Sequence, residues 1–237
     1  MTTDNRYPPD DKDDILHTLR TEAVEDFLKT VYKLQRQHDP VPTSLLAQEL
    51  GIKPPSVTEM AKKLADHGLL EYERYKGLRL TEPGKRIALE VVRHHRLIEM
   101  YLTEALGYSW DEVHEEADRL EHVISEQFEA RIAKALGYPN HDPHGDPIPA
   151  LDGTVPVREM ASLAEITLNS KCLVSRITDQ SPDVLRYLAG LGLVPGAQVV
   201  VTAREPFNGP VHVRVEDSEA VLSYEIASHI FLTSVVE

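Results

Sequence analysis

"KPPSVTEMAKKLADHGLLEYERYKGLRLT", Lys53–Thr81, decides the fold. Pro54 and Pro55 open a helix, because proline's fixed φ and missing N–H suit the first helical turn. Gly68 closes it, and the residues after it alternate apolar and polar about Lys76-Gly77, the pattern of a β-hairpin. Just upstream, "SLLAQELGI" (Ser44–Ile52) reads as a short helix stopped by Gly51. Short helix, turn, helix, hairpin is the order of a winged helix-turn-helix. In that geometry the second helix enters the major groove by its N-terminal residues, here Lys53, Pro55, Ser56, Thr58 and Glu59. Lys62 and Lys63 on the helix, and Arg74, Lys76 and Arg79 on the wing, would serve phosphates. Glu59 is chemically able to accept from a cytosine amino group. The competing reading is an ordinary helical domain with a glycine-bounded helix pair.

Charge separates the two readings. The chain of 237 residues carries a formal net charge of -14, which opposes contact with nucleic acid over its whole surface. Residues 29–93, however, hold 12 basic and 8 acidic side chains, while residues 94–237 hold 10 and 23. One basic segment inside an acidic protein can meet phosphates locally while the remainder repels them.

Working outward, residues 1–20 read as a polar, proline-containing arm. Val24, Phe27, Leu28, Val31 and Leu34 recur at helical spacing and complete a DNA-binding domain over 21–93. A long helix, "EPGKRIALEVVRHHRLIEMYLTEALG", ends at Gly107, and further helical stretches run to about Leu136, giving a helical domain over 94–150. "YPNHDPHGDPIPALDG" is rich in proline and glycine and marks a boundary, followed by a linker over 151–166. Short strand-like runs such as "AQVVVTA" and "VHVRVE" then fill 167–237, the pattern of a small SH3-like barrel. The expected class is therefore mainly α with a β wing, plus that barrel. A single cysteine, Cys172, excludes an internal disulfide and any cysteine-rich zinc motif. No apolar run approaches a membrane span, and the N-terminus lacks the apolar region of a signal peptide, so a cytoplasmic location is expected.

"HEEADRLEHVISE", His114–Glu126, carries the second chemistry. Read as one helix, with Ser109 and Glu112 as its capping box, it sets His114, Asp118, Glu121 and His122 on one stripe. Val113, Ala117, Leu120, Ile124 and Phe128 form the neighbouring core stripe. His95 and Glu99 lie one turn apart on the long helix, and the first helix adds Glu25 and Asp26. Imidazoles and carboxylates without thiolates suit a divalent transition ion. Carboxylates from separate helices repel unless a cation or protons neutralise them, so a bound ion could switch the arrangement of those helices. The alternatives are a solvated acidic face and, for His94, a histidine at a helix interface. "HEEAD" begins like the HExxH zinc-protease motif but has Asp118 where the second histidine belongs.

On "AVEDFLKTVYKL", "PPSVTEMAKKLADHGLL", "YKGLRLTEPGKRIA", "VRHHRLIEMYL", "VHEEADRLEHVIS" and "GDPIP", the chain resembles the diphtheria toxin repressor family of metal-dependent transcriptional regulators. The resemblance implies a winged-helix domain, a helical metal-binding and dimerisation domain, and an SH3-like domain. It also implies a homodimer that binds palindromic operator DNA when metal is bound. Carried over by position, one metal site falls on Asp26, Asp118, Glu121 and His122, and a second on His95, Glu99 and His114. The iron-responsive branch places Met and Cys at the positions of Asp26 and Asp118, whereas the manganese-sensing branch has carboxylates there. That branch also has a carboxylate one turn after its first-helix aspartate, where this chain has Lys29. In the iron-responsive branch the SH3-like domain donates ligands to the second site. Ser181 and Val184 align there, and the nearby Asp179 and Asp183 are the chemically capable candidates. The expected function is a homodimeric repressor of metal-uptake genes with Mn²⁺ as corepressor and no enzymatic activity. The alternatives are an Fe²⁺-responsive repressor of the same architecture, a metalloenzyme with an incidental basic segment, and a metal-independent regulator.

Overall fold

A computed structural model describes residues 20–234, and the chain divides into two compact units between Val92 and Arg93. Residues 1–19 of the expected arm lie outside the described residues.

In the first unit, α1 (Glu22–Gln35) buries Val24, Phe27, Leu28 and Val31, the helical stripe read from the sequence. α2 (Thr43–Glu49) and α3 (Pro54–Asp66) pack beside it through Leu46, Val57, Ala61 and Leu64. Gly51 and Gly68, at φ of 64° and 70°, end these helices in the left-handed region that glycine enters without a Cβ penalty. The wing is an antiparallel pair, β1 (Leu70–Glu73) and β2 (Gly77–Leu80), with Leu70 opposite Leu80 and Glu73 opposite Gly77. Val41 extends it, exchanging backbone hydrogen bonds with Leu78 at 2.9 and 3.0 Å. The long helix α4 (Glu82–Leu106) begins here, its Ile87 and Ala88 completing the core. Gly84 allows its first turn to lie against the backbone of Leu69.

The second unit holds the rest of α4, then α5 (Val113–Leu120) and α6 (Glu126–Ala135). Leu97 with Ile132, Ala133 and Ile148 forms one small core, and Ile98 and Leu102 with Val113 and Ala117 a second. A six-stranded antiparallel sheet follows, in the order β3-β8-β4-β5-β6-β7. Its strands are β3 (Ala161–Ser162), β4 (Lys171–Ile177), β5 (Gln198–Arg204), β6 (Val211–Val215), β7 (Ser218–Leu222) and β8 (Ile230–Ser234). Val199, Val201, Val211, Val213 and Val215 alternate inward, as strand period requires, and α7 (Pro182–Gly190) packs on them through Leu185 and Leu188. A short α8 (Tyr224–Ser228) precedes β8.

Three local expectations change. The helix expected over His114–Glu126 stops at Leu120, and Ser125 caps α6 by accepting from the Phe128 N–H at 3.2 Å. The restart turns Phe128 off the core stripe, leaving it 46% exposed. Ser109 and Glu112 do not form the reciprocal cap: the Ser109 hydroxyl donates to the Glu112 carboxylate at 2.6 Å, and α5 starts without a side-chain cap. Finally, the sheet takes up the end of the expected linker, since Ala161 and Ser162 pair with β8 and Leu163 is fully buried.

Gly84→Ala tests the packing. Its Cβ would collide with the Leu69 carbonyl oxygen, so α4 must shift from the wing. A loss of about 1–3 kcal/mol in stability by denaturant unfolding is expected, typical of overpacking against fixed atoms.

Candidate metal centre and nucleic-acid interface

In the first unit, Lys53, Pro55, Ser56, Glu59, Lys62 and Lys63 are exposed at or along α3, and Arg74, Lys76 and Arg79 along the wing. Thr58 is half-buried, its hydroxyl donating to the Pro54 carbonyl at 3.1 Å. Two wing cations have acidic neighbours: Arg79 pairs with Asp39 at 2.7 Å and Lys76 with Glu73 at 2.6 Å. Both pairs are about half exposed or more, where ion pairs are weak and exchange readily for phosphate. Asp26 also belongs to this unit, half-buried on α1, with Arg20 bridging Glu25 of α1 and Glu90 of α4.

In the second unit the structure brings His95, Glu99, His114, Asp118 and Glu121 together. His95 lies between two sets of acids. Its Nδ1 is 2.6 Å from Glu121 Oε2 and 3.3 Å from Asp118 Oδ1. Its Nε2 is 3.0 Å from Glu99 Oε1 and 3.0 Å from His114 Nδ1, and those last two atoms are 3.1 Å apart. The three donor atoms thus form a nearly equilateral triangle. Bonds of about 2.1 Å at right angles put neighbouring ligands about 3.0 Å apart, the face of an octahedron. Tetrahedral bonds of the same length would need about 3.4 Å. The triangle therefore matches one face of an octahedral divalent ion. Glu121 and Glu99 are almost completely buried. Burial opposes charge on His95, but Glu99, Asp118 and Glu121 outweigh it and push the imidazole up to about 10. Burial likewise opposes charge on Glu99, but His95, His114 and His144 carry it well below the usual carboxylate range. His122 follows α5 in the turn, its Nε2 3.3 Å from Glu121 Oε1.

Two further residues enter from the loop between α6 and the sheet, which the sequence marked only as a boundary. His144 is fully buried, and its Nε2–H donates to the Trp110 carbonyl at 2.7 Å. That bond leaves Nδ1 facing Glu99 Oε2, 3.7 Å away; burial opposes charge on the ring, but Glu99 and Asp142 outweigh it and hold the imidazole above its ordinary value. Asp142 belongs to the same buried group. Burial raises its carboxyl to about 7, with Glu99 and Asp146 adding to the rise. The signal available in the sequence was "HDPHGD", two imidazoles and two carboxylates set among turn-forming residues. His94 takes the interfacial role expected of it, with its Nδ1 3.1 Å from the Glu121 carbonyl and its Nε2 3.3 Å from Glu129.

The structure does not bring Asp179 or Asp183 to this cluster. Asp179 accepts from the Ser181 amide and hydroxyl, and the Asp183 side chain is 95% exposed and paired with Arg186 at 2.6 Å. The reason is local: Asp183 sits in the first turn of α7, whose apolar face is turned to the sheet. The SH3-like domain instead grips the loop that carries Asp142 and His144. The Ile177 N–H donates to the His144 carbonyl at 2.9 Å, Arg176 pairs with Asp146 at 2.6 Å, and Gln180 donates to Asp146 at 2.9 Å. A Cβ at Gly145 would strike the Ser175 carbonyl, so only glycine permits this approach.

Two outcomes are expected. An ion bound by His95 must displace the proton that its raised imidazole holds at pH 7, so Mn²⁺ affinity should climb up to about tenfold per pH unit between pH 6 and 8. Calorimetry in buffers of different ionisation enthalpy should register about one proton or more released per ion, and zero release would contradict it. Asp183→Ala should leave Mn²⁺ affinity unchanged, whereas Gly145→Ala should weaken it at least tenfold; equilibrium dialysis distinguishes the two.

Comparison with known proteins agrees with this division of labour. Residues 20–78 match the family "Iron dependent repressor, N-terminal DNA binding domain", residues 81–150 "Iron dependent repressor, metal binding and dimerisation domain", and residues 161–234 the "FeoA domain". The chain is 32% identical over 218 residues to the iron-dependent repressor IdeR of Mycobacterium tuberculosis, covering 87% of this chain and 94% of that protein. It is 34% identical over 131 residues to the diphtheria toxin repressor of Corynebacterium diphtheriae, 55% of this chain and 58% of that one. Among solved structures, a manganese-dependent transcriptional repressor in complex with manganese superposes with a TM-score of 0.83 at 38% identity, over 90% of this chain and all of that one. ScaR with bound Cd²⁺ superposes at 0.76 with 34% identity, over 90% and 99%. These relatives are repressors rather than enzymes, which removes the metalloenzyme alternative. With its winged helix, buried imidazole and carboxylate cluster and SH3-like domain, the chain belongs to the diphtheria toxin repressor family of metal-dependent transcriptional repressors.

Proposed function

We propose that this repressor is a cytoplasmic homodimer that uses Mn²⁺ as corepressor to bind palindromic operators of metal-uptake genes. The observation that carries the metal assignment is the donor set: imidazole nitrogen and carboxylate oxygen throughout, with the sole sulfur-bearing cysteine, Cys172, buried in the core of the sheet. Oxygen-rich sets favour the harder Mn²⁺ over thiophilic ions. The sequence resemblance makes Asp26, Asp118, Glu121 and His122 the regulatory ligands, with His95, Glu99 and His114 holding a second ion. A bound divalent ion would supply positive charge that lets buried carboxylates approach without protons. Asp142 and His144 extend the second set. Fe²⁺ is the second reading, favoured by the triad of two imidazoles and one carboxylate, which suits ferrous iron equally well, and by the likeness to iron-dependent relatives. Asp179 and Asp183 remain outside this proposal because of where their carboxylates lie. Among the described residues no helix is long and apolar enough to cross a membrane.

The decisive experiment titrates uptake-promoter DNA binding with Mn²⁺, Fe²⁺ and Zn²⁺ anaerobically. Binding should require metal and fall with salt, by about 0.9 in log affinity per log salt for each phosphate contact. Equal affinity with and without chelator would refute the corepressor role. Asp26→Met combined with Asp118→Cys should weaken the Mn²⁺ response relative to Fe²⁺, and an unchanged ratio would remove these residues from metal selection. Lys62→Ala should lower affinity for all sequences and reduce the salt slope by about 1.

A further inference from the structure

Glu121 is the C-cap of α5, and His122 follows it in the turn. The last carbonyls of a helix have no partner within it. For Glu121 the partner comes from α4: the His94 Nδ1–H donates to its carbonyl at 3.1 Å. The next residue on α4 meets the side chain, with His95 Nδ1 2.6 Å from Glu121 Oε2. Successive side chains leave a helix about 100° apart. Adjacent imidazoles therefore reach the main chain and the side chain of one residue. The main-chain contact has the wider consequence. The Glu121 carbonyl belongs to the planar peptide that joins Glu121 to His122. Holding its oxygen fixes the plane from which both side chains leave. His94 is itself held, buried with its Nε2 3.3 Å from Glu129 Oε2 on α6. Glu129 pairs with Arg93 Nε at 2.5 Å, and Arg93 Nη1 donates to the Pro149 carbonyl at 2.7 Å. Burial opposes charge on Glu129, but His94 and Arg93 outweigh it and keep its carboxyl below the usual range. Contacts thus run from the loop before the sheet, through α6 and α4, to the turn after α5.

We propose that His94 is a positioning residue for metal binding: it holds the peptide between Glu121 and His122, and Glu129 with Arg93 holds His94. This rests on the reading above of Glu121 and His122 as regulatory ligands and deepens it. His94 is not itself counted among the ligands. Its part is to set their backbone before an ion arrives, so that less conformational freedom is lost on binding. Helical hydrogen bonding cannot do this, because α5 has ended where the two ligands stand. The relay also explains why two histidines follow one another on α4. One serves the cluster of acids, and the other serves the turn that carries two of the ligands.

Amide hydrogen exchange of the full-length metal-free protein, beside calorimetry with Mn²⁺, tests this. His94→Leu keeps an apolar body of similar size and removes the donor, whereas His94→Asn keeps an N–H near the place of Nδ1. The amides of Glu121 and Val123, bonded to the Ala117 and Leu120 carbonyls, report on the turn. In His94→Leu they should exchange about tenfold faster, and Mn²⁺ affinity should fall about tenfold or more, the usual cost of losing a group that orients a ligand. His94→Asn should return both to near wild-type values, a rescue that a purely space-filling role would not give. Glu129→Gln leaves α4 untouched and should show the same two effects to a lesser degree, which keeps the test intact if His94→Leu fails to fold. Wild-type exchange in His94→Leu or in Glu129→Gln would overturn the relay. So would His94→Asn as impaired as His94→Leu, since the hydrogen bond would then not be the agent. Glu121→Ala separates this from the reading beneath it. Unchanged Mn²⁺ affinity there would refute Glu121 as a ligand, while faster exchange in metal-free His94→Leu would still uphold the hold on the peptide. Lost affinity in Glu121→Ala with wild-type affinity in His94→Leu would do the reverse.

Discussion

The second unit is organised around the burial of Glu99. A carboxylate 1% exposed on the long helix α4 costs several kcal/mol unless positive charge meets it. The chain answers with imidazoles from three places: His95 one turn back on the same helix, His114 from α5, and His144 from the loop before the sheet. The contacts of His114 and His144 join two other segments to α4. The electrostatic requirement of one side chain therefore helps to dictate where α5 and the loop must lie. The small apolar clusters around Leu97 and Ile98 flank this polar centre rather than replace it.

Holding the third imidazole needs rigidity from outside the helices. The loop is pinned by Asp142, whose carboxylate accepts from two loop amides, and by Asp146, which is shared among Arg96, Arg176 and Gln180. Two of those three partners come from the SH3-like domain. A domain that appended ligands through flexible side chains would pay side-chain entropy for each. Gripping the backbone that carries Asp142 and His144 avoids this, and the glycine at 145 is what lets the strand come close enough.

The DNA-binding unit works on a different physical basis. Its recognition helix and wing carry cations that are exposed or only loosely paired, as in Arg79 with Asp39. Such pairs are weak in water, so they cost little to break when phosphate arrives. Stability there comes from a continuous apolar core running from Val24 to Ala88, which frees the surface for charge. Burial in the one unit and exposure in the other suit charges that serve different ligands.

By itself the sequence determined what depends on neighbours along the chain. Helical period placed Val24, Phe27, Leu28 and Val31 inside, prolines opened α3, glycines closed α2 and α3, and strand alternation marked the wing and the valine-rich sheet. His95 with Glu99, and His114 with Asp118, were legible because pairs one helical turn apart share a face. Only the tertiary structure decided the rest. Glu121 and His122 were read onto the same stripe by helical spacing, but they lie at and past the C-cap of α5, so their final positions depend on the turn that follows it. Asp142 and His144 reach Glu99 through a loop whose course is set by contacts with β4, far along the chain. Asp179 and Asp183 had the right chemistry at nearly the right position, but their local turn and helix aim them elsewhere. Periodicity is a short-range property and is written in the residues. The meeting of charged side chains from separate segments is set by packing and by charge neutralisation, which no single segment contains.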